Sequence, residues 1–137
     1  MAVFEIQESQ RQRWVRVGLD NESVRAEAGA LSYLRGAIKI DATVPWIGTV
    51  LRSTLSDEPL IRPRYVGTGE IFLNSTFGGF HVIDVEDEAW ILENGAYWCS
   101  EHGVQLGLHR EPMLASWRAG EGFFDFQTKL SGRGRAV

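Results

Sequence analysis

His81, His102 and His109 are the side chains best suited to chemistry in this 137-residue chain. With Glu86, Glu101 or Glu111 on facing strands, their imidazole nitrogens would offer iron, manganese or zinc a cupin-like site. No HxH or HExxH pattern ties two of them together, and the pattern puts His102 in a turn and His109 at a strand end, so ordinary surface roles are the stronger reading. Ser100, Glu101 and His102 adjoin one another, but a hydrolytic triad requires each side chain to orient the next in space, and no GxSxG elbow is present. The carboxylates of Asp84, Glu86, Asp87 and Glu88 read as a solvated acidic turn, without the spacing of a calcium loop. Gly67-Thr68-Gly69 and its echo Gly120-Glu121-Gly122 lack the Lys-Ser/Thr ending of a phosphate loop. Phe72, Phe80, Phe124 and Trp90 offer stacking platforms for bases, but core packing accounts for them better in a β-rich domain. Catalytic, cofactor and metal residues therefore stay unassigned, and no cofactor is expected.

Cys99 is the sole cysteine, which excludes an intrachain disulfide and a Cys-rich zinc site. Its place in the apolar run Ala96 to Cys99 predicts a buried, unreactive thiol. Apolar residues make up 44% of the chain, and the formal charge is -4 with a pI of about 5.4. That balance argues against attraction to nucleic acid phosphate; Gly132-Arg133-Gly134-Arg135 is a single short basic phrase that reads as a solvated turn or tail. No signal-peptide core and no stretch of membrane-spanning length is found, so the expectation is a cytoplasmic protein of one domain, residues 1–137.

The elements that would position these residues are short strands. Val15, Val17 and Leu19 alternate with Arg16 and Gly18, Asp20-Asn21-Glu22 supplies a turn, and Val24, Ala26 and Ala28 resume the alternation. Ile38 and Ile40 alternate with Lys39 and Asp41. The phrase Glu27-Ala28-Gly29-Ala30-Leu31 returns 66 residues later as Glu93-Asn94-Gly95-Ala96-Tyr97, and Val104 and Leu106 then fall where Ile38 and Ile40 fall. Two internal hairpin repeats are expected. The period changes after Pro45: Trp46, Ile47, Val50, Leu51 and Leu55 recur at three- and four-residue spacings, predicting one short helix between Pro45 and Leu55. These five are the interface candidates, since so short a helix buries only part of its apolar set against its own sheet. A homo-oligomer, a protein partner or a peripheral membrane contact would take the remainder. The pattern lacks the helices that cover a parallel sheet, so an all-β fold is expected, either a β-sandwich or a short double-stranded β-helix.

The order of phrases resembles the mitochondrial-biogenesis family named after the altered-inheritance-of-mitochondria protein. The landmarks are Glu27-Ala28-Gly29-Ala30, Gly36-Ala37-Ile38-Lys39, Gly69-Glu70-Ile71-Phe72-Leu73, Trp90 to Ala96, Ser100-Glu101-His102-Gly103-Val104 and Leu130-Ser131-Gly132-Arg133-Gly134. The resemblance implies a double-stranded β-helix similar to the tryptophan RNA-binding attenuation protein-like fold, and an assembly that is a trimer or larger ring. It implies no catalytic residues. Longer members continue beyond the SGRG phrase, so the resemblance leaves open a short member, strands supplied by a neighbouring subunit, or a truncated chain. The reading that follows is a noncatalytic binding or scaffold protein forming a homo-oligomer. The alternatives are a cupin-like metal-dependent enzyme using two of the three histidines and an RNA-binding ring protein.

Overall fold

The computed structural model describes residues 1–41, 62–110 and 126–137. The expected helix at Pro45 to Leu55, the five interface candidates, Glu111, the Gly120-Glu121-Gly122 echo and Phe124 all lie outside them. Among the described residues the chain forms nine strands: β1 (Val3–Ser9), β2 (Gln12–Ala26), β3 (Leu31–Asp41), β4 (Arg64–Leu73), β5 (Ile83–Glu86), β6 (Trp90–Leu92), β7 (Cys99–Glu101), β8 (Val104–Arg110) and β9 (Phe126–Ala136). All pairings are antiparallel. The sheet is open and runs β3-β4-β2-β7-β9-β5, with β1 on β2 and with β6 and β8 on β9. The all-β expectation holds.

Two long strands organise the molecule. β2 is fifteen residues long because Asp20-Asn21-Glu22 is not the expected turn. Asn21 adopts a left-handed φ of 53° and its backbone N–H donates to Thr68 Oγ1 at 2.9 Å, making a bulge in the pairing with β4 between Leu19 and Glu22. One extra residue switches the strand's parity, so Val15, Val17 and Leu19 face the core before it and Val24 and Ala26 after it. Without that switch the second half of β2 would turn its apolar face to water.

β9 is the other organiser, and it corrects two more expectations. Ser131 to Arg135 is not a solvated turn or tail but lies in the C-terminal half of this strand. Its first half pairs with β6 and β8, and its second half with β5 and β7. Likewise Asp84 to Glu86 is strand rather than acidic turn: β5 registers Val85 against Gly134, and Val85 is buried. The turn begins only at Asp87, with φ 61°, whose N–H donates to the Gly132 carbonyl at 2.9 Å.

The two glycine phrases make the same turn. Ala30 N donates to Glu27 O at 3.1 Å and Ala96 N to Glu93 O at 3.1 Å, with Gly29 and Gly95 at φ 79° and 77°. A positive φ at the third turn position is what glycine supplies without steric cost. Two buried clusters result. The larger gathers Val15, Val17, Val24, Tyr65, Ile71, Leu73 and Cys99 beneath β1–β4. The smaller gathers Val85, Tyr97, Val104, Leu130 and Ala136 around β9.

Candidate functional site

The three histidines stand on three different elements. His81 is exposed in the segment before β5, His102 is exposed in the turn between β7 and β8, and His109 is half-buried in β8 opposite Gln127. Among the described residues no three His, Cys, Asp or Glu side chains are grouped to hold a metal ion. The basic phrase is engaged internally. Arg133 Nε donates to Asp87 Oδ2 at 2.5 Å, which raises the guanidinium's already high pKa. Arg135 donates to the Ala2 carbonyl, lies 3.7 Å from Glu101 Oε1 and stacks its guanidinium 5.7 Å over the Phe4 ring.

Between the two clusters lies a polar joint that the sequence did not single out. Tyr97 O–H bonds with the Arg25 carbonyl at 3.1 Å and with Ser100 Oγ at 2.9 Å, and Ser100 is fully buried. Arg62 donates from Nε to Glu27 Oε2 at 2.9 Å and from Nη2 to Thr128 Oγ1 at 3.2 Å, with its guanidinium 5.0 Å over the Tyr97 ring. The joint ties the first turn phrase to β9 and to the second phrase, so paired charge and hydroxyls satisfy one another out of water. Burial pushes the Tyr97 phenol and the Cys99 thiol strongly upward, so both stay neutral at physiological pH. A neutral, fully covered thiol is a packing group rather than a nucleophile.

The outer face of the large half-sheet carries two features. Glu70 on β4 accepts from Arg16 Nε on β2 at 2.7 Å and from Arg35 on β3, while Arg16 Nη1 donates to Glu5 Oε2 on β1 at 2.5 Å. Hydrogen bonds from Arg35 first, then Arg16, hold the Glu70 carboxyl down to about 2. Beside this row Tyr33 stacks on Phe72, with ring centroids 4.4 Å apart and planes 15° from parallel. β3 itself is the end of the sheet path, pairing only with β4 among the described residues. Over its eleven residues Tyr33 is 56% exposed and Ile40 54%, and none is classed as buried. Among the described residues no strand pairs beyond it, and a long edge with exposed apolar side chains is one that proteins blunt, cover or fill.

A second surface lies at the loop between β4 and β5. An apolar cleft of roughly 410 Å³ is walled by Phe80, Ile83, Leu92, Ala96 and Trp98. Phe80 and Trp98 stack with centroids 6.1 Å apart. Here Phe80, which the sequence offers as a base platform, and Trp98, from the apolar run Ala96 to Cys99, form one wall.

Comparison with known proteins adds the following. A family model described as mitochondrial biogenesis AIM24 matches residues 4–137. Among solved structures, the crystal structure of a structural-genomics target from Streptococcus pyogenes superposes with a TM-score of 0.74 at 18% identity. The match covers 99% of this chain and 63% of that one, so this chain spans less than two thirds of its neighbour's length. At that identity the likeness concerns the fold alone. No curated protein matches the sequence significantly. Among the described residues no helix is long and apolar enough to cross a membrane.

Proposed function

The chain belongs to the AIM24 mitochondrial biogenesis family, and from that premise we propose that it is a noncatalytic binding or scaffold domain working as a homo-oligomer. The observation that carries this reading is β3: an eleven-residue strand at the end of the sheet, with Tyr33 and Ile40 more than half exposed. Backbone groups along such an edge that have no strand partner among the described residues, beside apolar side chains, favour pairing with another chain. Covering the apolar side chains alone removes area from water at about 25 cal/mol per Å². A heterologous edge contact whose rotation closes gives a cyclic ring, and a trimer or larger ring is the form the family resemblance implies.

Light scattering on the intact protein is the test. The wild type should show a multiple of the 15.4 kDa chain mass, and Tyr33→Ser combined with Ile40→Lys should lower it. Both positions are more than half exposed, and because Tyr33 also stacks on Phe72 an unchanged circular dichroism spectrum is the control for the fold. A wild-type monomer at concentrations well above micromolar would defeat the proposal. Trp46→Ser and Leu51→Ser probe the surface expected from the sequence in the same assay.

A further inference from the structure

We infer that Asn94 is a site of self-modification, at which the Gly95 backbone nitrogen closes on the Asn94 side-chain amide and converts the residue to isoaspartate and aspartate. The chain has three asparagines, Asn21, Asn74 and Asn94, and only Asn94 precedes a glycine. A side chain on the following residue hinders the approach of its backbone nitrogen, and glycine has none. The surroundings are open as well: a Cβ added at Gly95 would meet nothing within 4 Å. Asn94 and Gly95 are both exposed, in the turn closed by the bond from Ala96 N to Glu93 O. Among the described residues neither the Asn94 amide nor the Gly95 N–H has a hydrogen-bond partner, so no bond must break before they meet.

The other asparagines differ. Asn74 Nδ2 donates to the Gly29 carbonyl at 2.7 Å, which holds its amide in place, and Ser75 follows it. Asn21 is followed by Glu22, which is paired opposite Gly67 in the β2–β4 ladder. The twin turn Glu27-Ala28-Gly29-Ala30 makes the same bend with alanine where Asn94 stands. The bend therefore does not need an asparagine, and Asn94 adds reactivity to it.

The reaction balances with water alone. The Gly95 nitrogen gives its proton to solvent and bonds to Asn94 Cγ, while the Cγ–Nδ2 bond breaks and ammonia leaves. One water then opens the resulting succinimide ring. Attack at Cγ leaves aspartate; attack at the main-chain carbonyl leaves isoaspartate, with the backbone routed through Cγ and longer by one methylene. Nothing is oxidised or reduced. Either product adds a negative charge beside Glu93, whose Oε1 accepts from Gln127 Nε2 at 2.8 Å at the start of β9. The isoaspartate form also stretches the turn just ahead of Tyr97, so the second turn phrase ages while the first does not.

The test is incubation of the intact chain in warm neutral buffer made with heavy-oxygen water, followed by peptide mass spectrometry. Asn94 should convert at least about tenfold faster than Asn21 and Asn74, with heavy oxygen in both isoaspartate and aspartate. Unfolding in urea should leave the Asn94 rate within about threefold, since an exposed turn needs no opening. Asn94→Ala copies the twin turn, so it should fold as the wild type does and yield no acidic species on ion exchange. Conversion of Asn94 no faster than Asn21 overturns the inference, as does aspartate formed without isoaspartate. Acceleration of Asn94 by more than about tenfold on unfolding also overturns it, because the folded turn would then be protecting the residue.

Discussion

In the β3–β4 ribbon, Gly36 sits opposite Gly69, and a Cβ added at Gly67 would overlap the Ala37 carbonyl. In the β8–β9 ribbon, a Cβ at Gly103 would overlap the Arg133 carbonyl, and one at Gly132 would stand 2.5 Å from the Gly103 carbonyl. Each ribbon follows the same glycine turn, and in each a GxG pair lets two backbones cross closely. The neighbours differ. β4 lies between two long partners, β2 and β3, whereas β9 is shared among four shorter ones, β5, β6, β7 and β8. Among the described residues each ribbon has one strand with a single partner, β3 or β8, but β8 buries Val104 while β3 buries no residue. Exposure is decided by what packs alongside, not by the ribbon itself.

The core contrast has the largest expected effect. Ile71 and Leu130 are both fully buried, one in each cluster. Ile71→Ala and Leu130→Ala should each cost about 2–5 kcal/mol by denaturant unfolding. If the polar joint makes the halves one cooperative unit, each variant moves a single transition. Two transitions, only one of them shifted, would show that the halves unfold separately.

Next comes the crossing itself. Gly67 has φ 142° and its added Cβ meets backbone, which cannot yield. Gly134 has φ 143° but its added Cβ first meets the Val104 Cγ2 methyl at 3.1 Å, which can rotate. Gly67→Ala should therefore cost about 3 kcal/mol or more and Gly134→Ala about 1–2 kcal/mol. The reverse order in thermal melts would show that the backbone contact at Gly67 is relieved more readily than the side-chain contact at Gly134.

Tyr97→Phe probes the joint between the regions. It keeps the ring under Arg62 but strips Ser100 and the Arg25 carbonyl of a partner, at a cost of about 1–2 kcal/mol. A neutral result would mean that the hydroxyl contributes nothing net to holding the halves together.

The smallest effect belongs to the exposed face. Glu70 has its carboxyl lowered to about 2 from 4.5, so its folded form favours the ionised state. The stability it adds is present above the unfolded value and is lost as pH falls from about 4.5 towards 2. Glu70→Gln should flatten the acid limb of a stability–pH curve over that window, lowering stability slightly at neutral pH and converging with the wild type as pH approaches 2, the small effect being that of an exposed ion pair. An unchanged acid limb would detach Arg16 and Arg35 from any role in securing the edge.

The sequence by itself determined the local conformations. Alternation in Val15 to Leu19 is a strand under any packing, and Gly29 and Gly95 make the same turn because only the third turn position needs a positive φ. The burial of Cys99 was legible for the same reason, since its neighbours Tyr97 and Trp98 are themselves apolar. Tertiary structure decided where those pieces sit. Asn21 reads as a turn in isolation and becomes a bulge because β4 pairs on both sides of it. Ser131 to Arg135 reads as a polar tail and becomes a central strand because Asp87, Glu101 and the Ala2 carbonyl, all distant in sequence, receive its arginines. The Arg62–Glu27–Thr128 joint left no signal at all, for each member is unremarkable until folding brings three remote segments together. Periodicity records which face of a segment turns inward, but the partner that makes it inward is chosen by contacts across the whole chain.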